Sequence, residues 1–126
     1  MRSLVVLLLI MAGLIVSALF VQNYLVTSAE HMSEQLSALM LAVKTERWES
    51  AQAQMKQIHT DWHKVRLVWN VFTEHEEIDD MNGTLARLAG FIEEKEVPSS
   101  LAEGRAALQL LKHIPEKESL TLINLL

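Results

Sequence analysis

Residues 48–72 read WESAQAQMKQIHTDWHKVRLVWNVF, and the spacing of their apolar side chains decides the fold class. Trp48, Ala51, Met55, Ile58, Trp62, Val65, Trp69 and Phe72 step by threes and fours across more than three heptads. A period near 3.5 gathers them on one face of a helix, where a strand would need strict alternation. A long amphipathic helix is therefore predicted, with its apolar face turned toward other helices.

The same stepping continues on both sides. Ala29, Met32, Leu36, Leu39 and Val43 form one stripe upstream; Ile78, Met81, Leu85, Leu88 and Ile92 form another downstream, with Leu101, Leu108 and Leu111 on a shorter fourth helix. Helices of this period pack at the small positive crossing angle of left-handed bundles. Capping chemistry marks the expected boundaries: Thr45 caps the second helix, Thr73 with Glu76 makes a capping box for the third, and Ser100 with Glu103 makes one for the fourth. Pro115 is expected to stop the fourth helix just beyond His113. Residues 119–126, rich in Leu and Ile, are expected to fold back as a short helix over one end of the core. Connections this short force antiparallel neighbours.

Upstream of the first stripe the composition changes. Residues 4–21 carry no charge, and eighteen to twenty apolar residues at 1.5 Å rise cross a hydrocarbon core of roughly 30 Å. The expected fold is all-α: a single N-terminal transmembrane helix, residues 1–27, followed by an antiparallel bundle of about four helices, residues 28–126. No clear breaker lies between Val26 and Ser28, so anchor and first bundle helix can form one rod. Arg2 precedes the apolar run, while Glu30 and Glu34 are the first charges after it. Positive-inside bias then leaves the N-terminus cytoplasmic and the bundle on the far side of the cell membrane. A cleaved signal peptide, with Val16-Ser17-Ala18 as its small-residue site, is the competing reading. The apolar stretch is longer than a usual signal core and continues through Phe20, Val21, Leu25 and Val26, which favours retention. Gly13 and Ser17 form a small-xxx-small pair for close approach of another transmembrane helix.

The net charge of −5, with ten basic and sixteen acidic residues after Arg2, argues against nucleic acid as a partner. No basic cluster follows the anchor, so contact with membrane lipid is expected through the anchor alone. The absence of cysteine removes disulfides, thiolate metal sites and cysteine nucleophiles. Four isolated glycines offer no phosphate loop, and no serine sits at a strand-to-helix elbow. No enzyme, cofactor or metal site is expected.

The polar residues near the apolar stripes remain as candidates. Trp48, Trp62 and Trp69 share one heptad position; three large rings there fill a small core or line a slot, and core filling is the expectation because a small domain needs the area. His59 and His63 have helical metal-ligand spacing without a third ligand in sequence. His75, Glu76, Glu77, Asp79 and Asp80 crowd the start of the third helix, where carboxylates complement the helix dipole and Asp79 lies one turn from His75.

From Trp48 onward the chain also shows Trp62, Trp69, His75-Glu76-Glu77-Ile78-Asp79, Leu85-Ala86-Arg87-Leu88, His113-Ile114-Pro115-Glu116-Lys117-Glu118 and Asn124-Leu125-Leu126. This string resembles the bacterial family catalogued as domain of unknown function 4363, over nearly the whole chain. The chain differs from the family's tendency in having Glu76 after His75 and Leu125-Leu126 as its last aliphatic pair. The resemblance implies a retained anchor and an extracytoplasmic bundle, as in Gram-positive bacteria, and the family has no assigned activity. It singles out His75, Asp79, Arg87 and His113, which are expected to form a polar network tying the third helix to the chain after the fourth.

Two roles fit these observations. One is a non-catalytic accessory or assembly partner of another membrane protein. The other is a sensor or binding module holding a small ligand or cation at the tryptophans or at His75 and Asp79. Heptad stripes serve a homo-oligomer as well as an internal core.

Overall fold

The computed structural model of the protein describes residues 1–125, with side chains to residue 114. Four helices make up the fold: α1 Arg2–Lys44, α2 Trp48–Phe72, α3 His75–Glu93 and α4 Val97–Leu125. α1 packs against α2 and α4, and α3 packs against the same two, so the four close into a ring around one core. Links of two or three residues join them, and each helix runs antiparallel to the next.

The core is the heptad pattern made solid. Leu25, Ala29, Met32, Leu36, Leu39 and Val43 of α1 are buried, and so are Ala51, Met55, Ile58, Trp62 and Trp69 of α2. Ile78, Met81, Leu85, Leu88 and Ile92 supply the third wall. On α4 the buried core residues among those described are Ala107, Leu111 and Ile114, while Leu101 and Leu108 are only partly covered. Gly104 is the contact point between α4 and α1. An added Cβ there would lie 2.9 Å from Met40 Cγ, so a side chain at 104 would push the two helices apart.

α1 is unbroken over 43 residues, about 64 Å at helical rise. Its first part, with mean hydropathy 3.1 over the most apolar window, has none of that window buried by the rest of the chain. Packing begins at Val21 and Tyr24, which lean on the core, and is complete at Leu25. Bundle contact therefore starts about two turns before residue 28.

The helix ends differ from the capping expected of them. Thr45 closes α1 instead of opening α2, its hydroxyl donating 2.9 Å to the Leu41 carbonyl. Behind it Glu46 N–H reaches Val43 O and Arg47 N–H reaches Ala42 O, the bonding of a Schellman motif. After α3 the same motif recurs, with Lys95 N–H to Ile92 O and Glu96 N–H to Phe91 O. Glu46 and Lys95 occupy the left-handed position at φ 55° and 57°, where glycine is usual. Thr73 likewise turns back, donating 2.7 Å to the Trp69 carbonyl, and Glu74 is the residue before α3. No Thr73–Glu76 box forms.

Ser100 is not a cap either. α4 starts three residues earlier at Val97, and Pro98 sits in its first turn, where the missing N–H has no intrahelical partner to lose and φ is already helical. Pro115 does not stop α4, which continues to Leu125. A proline forgoes one backbone hydrogen bond of the helix, but Leu111 and Ile114 are locked in the core immediately before it, so packing holds the helix on course. α4 is consequently not the shortest helix, and residues 119–125 extend it in place of a separate fold-back helix. How the side chains of residues 115–126 meet the core lies outside the described residues.

Candidate functional site

A groove of about 520 Å³ runs between α3 and α4. On α3 the lining residues Asp79, Asp80, Gly83, Thr84 and Arg87 recur at one-turn spacing beside the buried stripe. From α4 come Ala106, Gln109, Leu110 and His113. Gly83 and Ala106 provide the hollow by having little or no side chain. Arg87 turns along the wall: its Nε donates 3.0 Å to Glu103 Oε1 and its second nitrogen donates 3.2 Å to Thr84 Oγ1. The guanidinium is thus balanced by Glu103, leaving two exposed carboxylates and an exposed imidazole along the groove. Such a lining suits a small polar or cationic ligand better than an anion.

Three of the four residues expected in a polar network, Asp79, Arg87 and His113, meet in this groove. His75 is exposed at the start of α3 and is not among the groove's lining residues. No hydrogen bond or ion pair joins His75 to Asp79 among the described residues.

The tryptophans lie inward. Trp62 and Trp69 are buried and meet edge to face, ring centroids 5.6 Å apart at 85°, an arrangement favoured by the ring quadrupoles. Each indole N–H is satisfied: Trp62 Nε1 donates 2.7 Å to Asn82 Oδ1 and Trp69 Nε1 donates 3.1 Å to Ser28 Oγ. Trp48 packs half-buried at the far end of α2.

His59 and His63 are exposed. His59 lines a second groove, about 400 Å³, with Met55, Lys56 and Ile92 between α2 and α3. His63 Nδ1 lies 3.0 Å from an Arg66 nitrogen. Among the described residues no group of three or more His, Cys, Asp or Glu is placed to hold a metal ion. In the apolar segment, Ser17 Oγ donates 2.8 Å to the Gly13 carbonyl, which satisfies the hydroxyl within its own helix. A Cβ at Gly13 would meet nothing within 4 Å, so this face is open.

Two features escaped the sequence reading. Half-buried Asp61 of α2 accepts hydrogen bonds from Gln35 of α1 at 2.7 Å and from Gln57 at 3.0 Å, with His31 Nε2 at 3.9 Å. The residues from α1 and α2 lie too far apart in sequence for any local signal. The other is the end of α2, where Leu67, Val68, Val71 and Phe72 are all exposed. Phe72 belongs to the stripe by spacing; its three companions lie off it. The signal was present, since residues 65–72 are apolar on nearly every side rather than along one stripe.

A family model described as Domain of unknown function (DUF4363) matches residues 19–125. No curated protein and no solved structure matches the chain.

Proposed function

Since the chain belongs to the DUF4363 family, a domain of unknown function, we propose that its role follows from its architecture: a non-catalytic, membrane-anchored helical module that serves as accessory or assembly partner of another membrane protein. The observation that carries this reading is the division of α1. Its apolar first half is bare, as a bilayer-covered helix is, while its second half is a wall of the core. A load on the bundle passes directly to the anchor, and a partner that grips the anchor fixes the bundle. Arg2 before the span and Glu30 and Glu34 after it support a cytoplasmic N-terminus and an extracytoplasmic bundle. The open Gly13–Ser17 face supports helix-to-helix contact within the membrane.

The test is crosslinking in native membranes, followed by detergent purification through a C-terminal tag and mass spectrometry. The reading expects a stoichiometric integral membrane protein that is lost from Gly13→Leu and Ser17→Leu variants. Recovery of the chain alone would overturn it. A second reading, a binding module, is favoured by the α3–α4 groove with Asp79 and His113; saturable binding of a small polar ligand by the purified full chain, lost in Asp79→Asn, would move the weight there.

A further inference from the structure

Outside the apolar half of α1, the large apolar side chains that stand exposed among the described residues are Leu41 and one cluster, Leu67, Val68, Val71 and Phe72. Val71 is 72% exposed and Leu67 62%. At 100° per residue Leu67 and Val71 point away from the core, with Val68 and Phe72 turned toward the α1 side. Contiguous apolar surface of this kind marks an interaction site.

Its height along the molecule identifies the occupant. The Trp69–Ser28 hydrogen bond sets residue 69 of α2 level with residue 28 of α1. α2 runs toward the apolar half of α1 there, so Val71 and Phe72 stand level with residues 25–26. If the hydrocarbon begins at Leu4, a core of roughly 30 Å takes about twenty residues and ends near residue 23. Val71 and Phe72 then lie about 3–5 Å beyond that boundary, inside a headgroup layer roughly 5–7 Å deep. On the same face Leu67 stands about 10 Å beyond the boundary, just above that layer, and Lys64 about 15 Å beyond it, from where its long side chain can reach down toward the headgroups.

We propose that the last turn of α2 is a second membrane contact, seating the bundle on the lipid surface through Val71 and Phe72, with Leu67 just above them. The inference rests on α1 being the anchor described above. Carboxylates at the start of α3, among them Glu76, stand at the same end and oppose anionic headgroups, so the contact is shallow and with zwitterionic lipid. The two contacts together fix the tilt of the bundle, and with it the direction in which the α3–α4 groove faces.

The chain has no cysteine, so single substitutions give unique spin labels. Full-length Val71→Cys, Leu14→Cys and Leu41→Cys would be reconstituted in phosphatidylcholine vesicles and compared for collision with oxygen and with a water-soluble nickel complex. Val71 is exposed, so its label leaves the core intact. The expected result is a several-fold loss of nickel collisions at 71 relative to 41, with 14 deeper still. Equal nickel access at 71 and 41, with 14 buried in lipid, overturns the second contact and leaves the anchor standing. Aqueous behaviour at 14 overturns both. A label at 71 that is aqueous in vesicles yet shielded in native membranes assigns the patch to a protein and overturns the lipid contact.

Discussion

Trp69 Nε1 donates to Ser28 Oγ at 3.1 Å, joining α2 to α1 across 41 residues of sequence, and the same hydroxyl donates 2.7 Å to the Tyr24 carbonyl. Ser28 thus uses both of its capacities, acceptor toward the indole and donor toward its own helix. The pair sits where the bare part of α1 gives way to the core, so it ties the bundle to the rod at its point of greatest leverage. Ser28→Ala would strand a buried indole N–H, and we predict a loss of about 1–3 kcal/mol in urea denaturation. An unchanged midpoint would show that the bond contributes nothing.

Ser100 offers a sign test. A helix cap replaced by alanine loses about 1 kcal/mol. In the structure, however, Ser100 is buried inside α4 and its Oγ has no hydrogen-bond partner. Removing an unpaired buried hydroxyl favours folding, so Ser100→Ala is predicted to raise the melting temperature. A clear fall would restore the capping role.

Glu46 and Lys95 hold left-handed backbone that costs an L-residue about 1 kcal/mol. Lys95→Gly removes that cost and adds some freedom to the unfolded chain. A net gain of about 0.5–1 kcal/mol is expected from thermal melts, and a loss would mean that the lysine side chain makes a compensating contact.

His75 and His113 are exposed, and neither makes a hydrogen bond or ion pair among the described residues. Replacing either by alanine should shift stability by no more than about 0.5 kcal/mol. A clear drop in melting temperature for either variant would instead support the polar network expected from sequence.

The parts of this fold that follow from periodicity were legible. Every step of the α1 stripe from Ala29 to Val43, and the α2 positions from Ala51 to Trp62, are buried as their spacing requires. Chain ends were less legible, because Thr45, Thr73 and Ser100 carry the same hydroxyl whether they open a helix, close one or sit inside it. A Schellman turn without glycine leaves no mark in the residue string. Pro115 illustrates a local rule overridden by packing. Of the candidate site, Asp79, Arg87 and His113 were marked by the family resemblance, but their meeting in one groove depends on the register of α4 against α3. The exposed end of α2 was hidden for another reason: Phe72 fits the stripe by spacing yet stands exposed, and Leu67, Val68 and Val71 lie off it.

The account turns on α1 being one retained helix shared by bilayer and bundle. The most direct test is the intact mass of the chain recovered from native membranes after an alkaline carbonate wash. The account predicts the uncleaved chain, still carrying residues 1–18, in the washed membrane pellet. A shortened chain beginning just after Ala18, released into the wash, would contradict it.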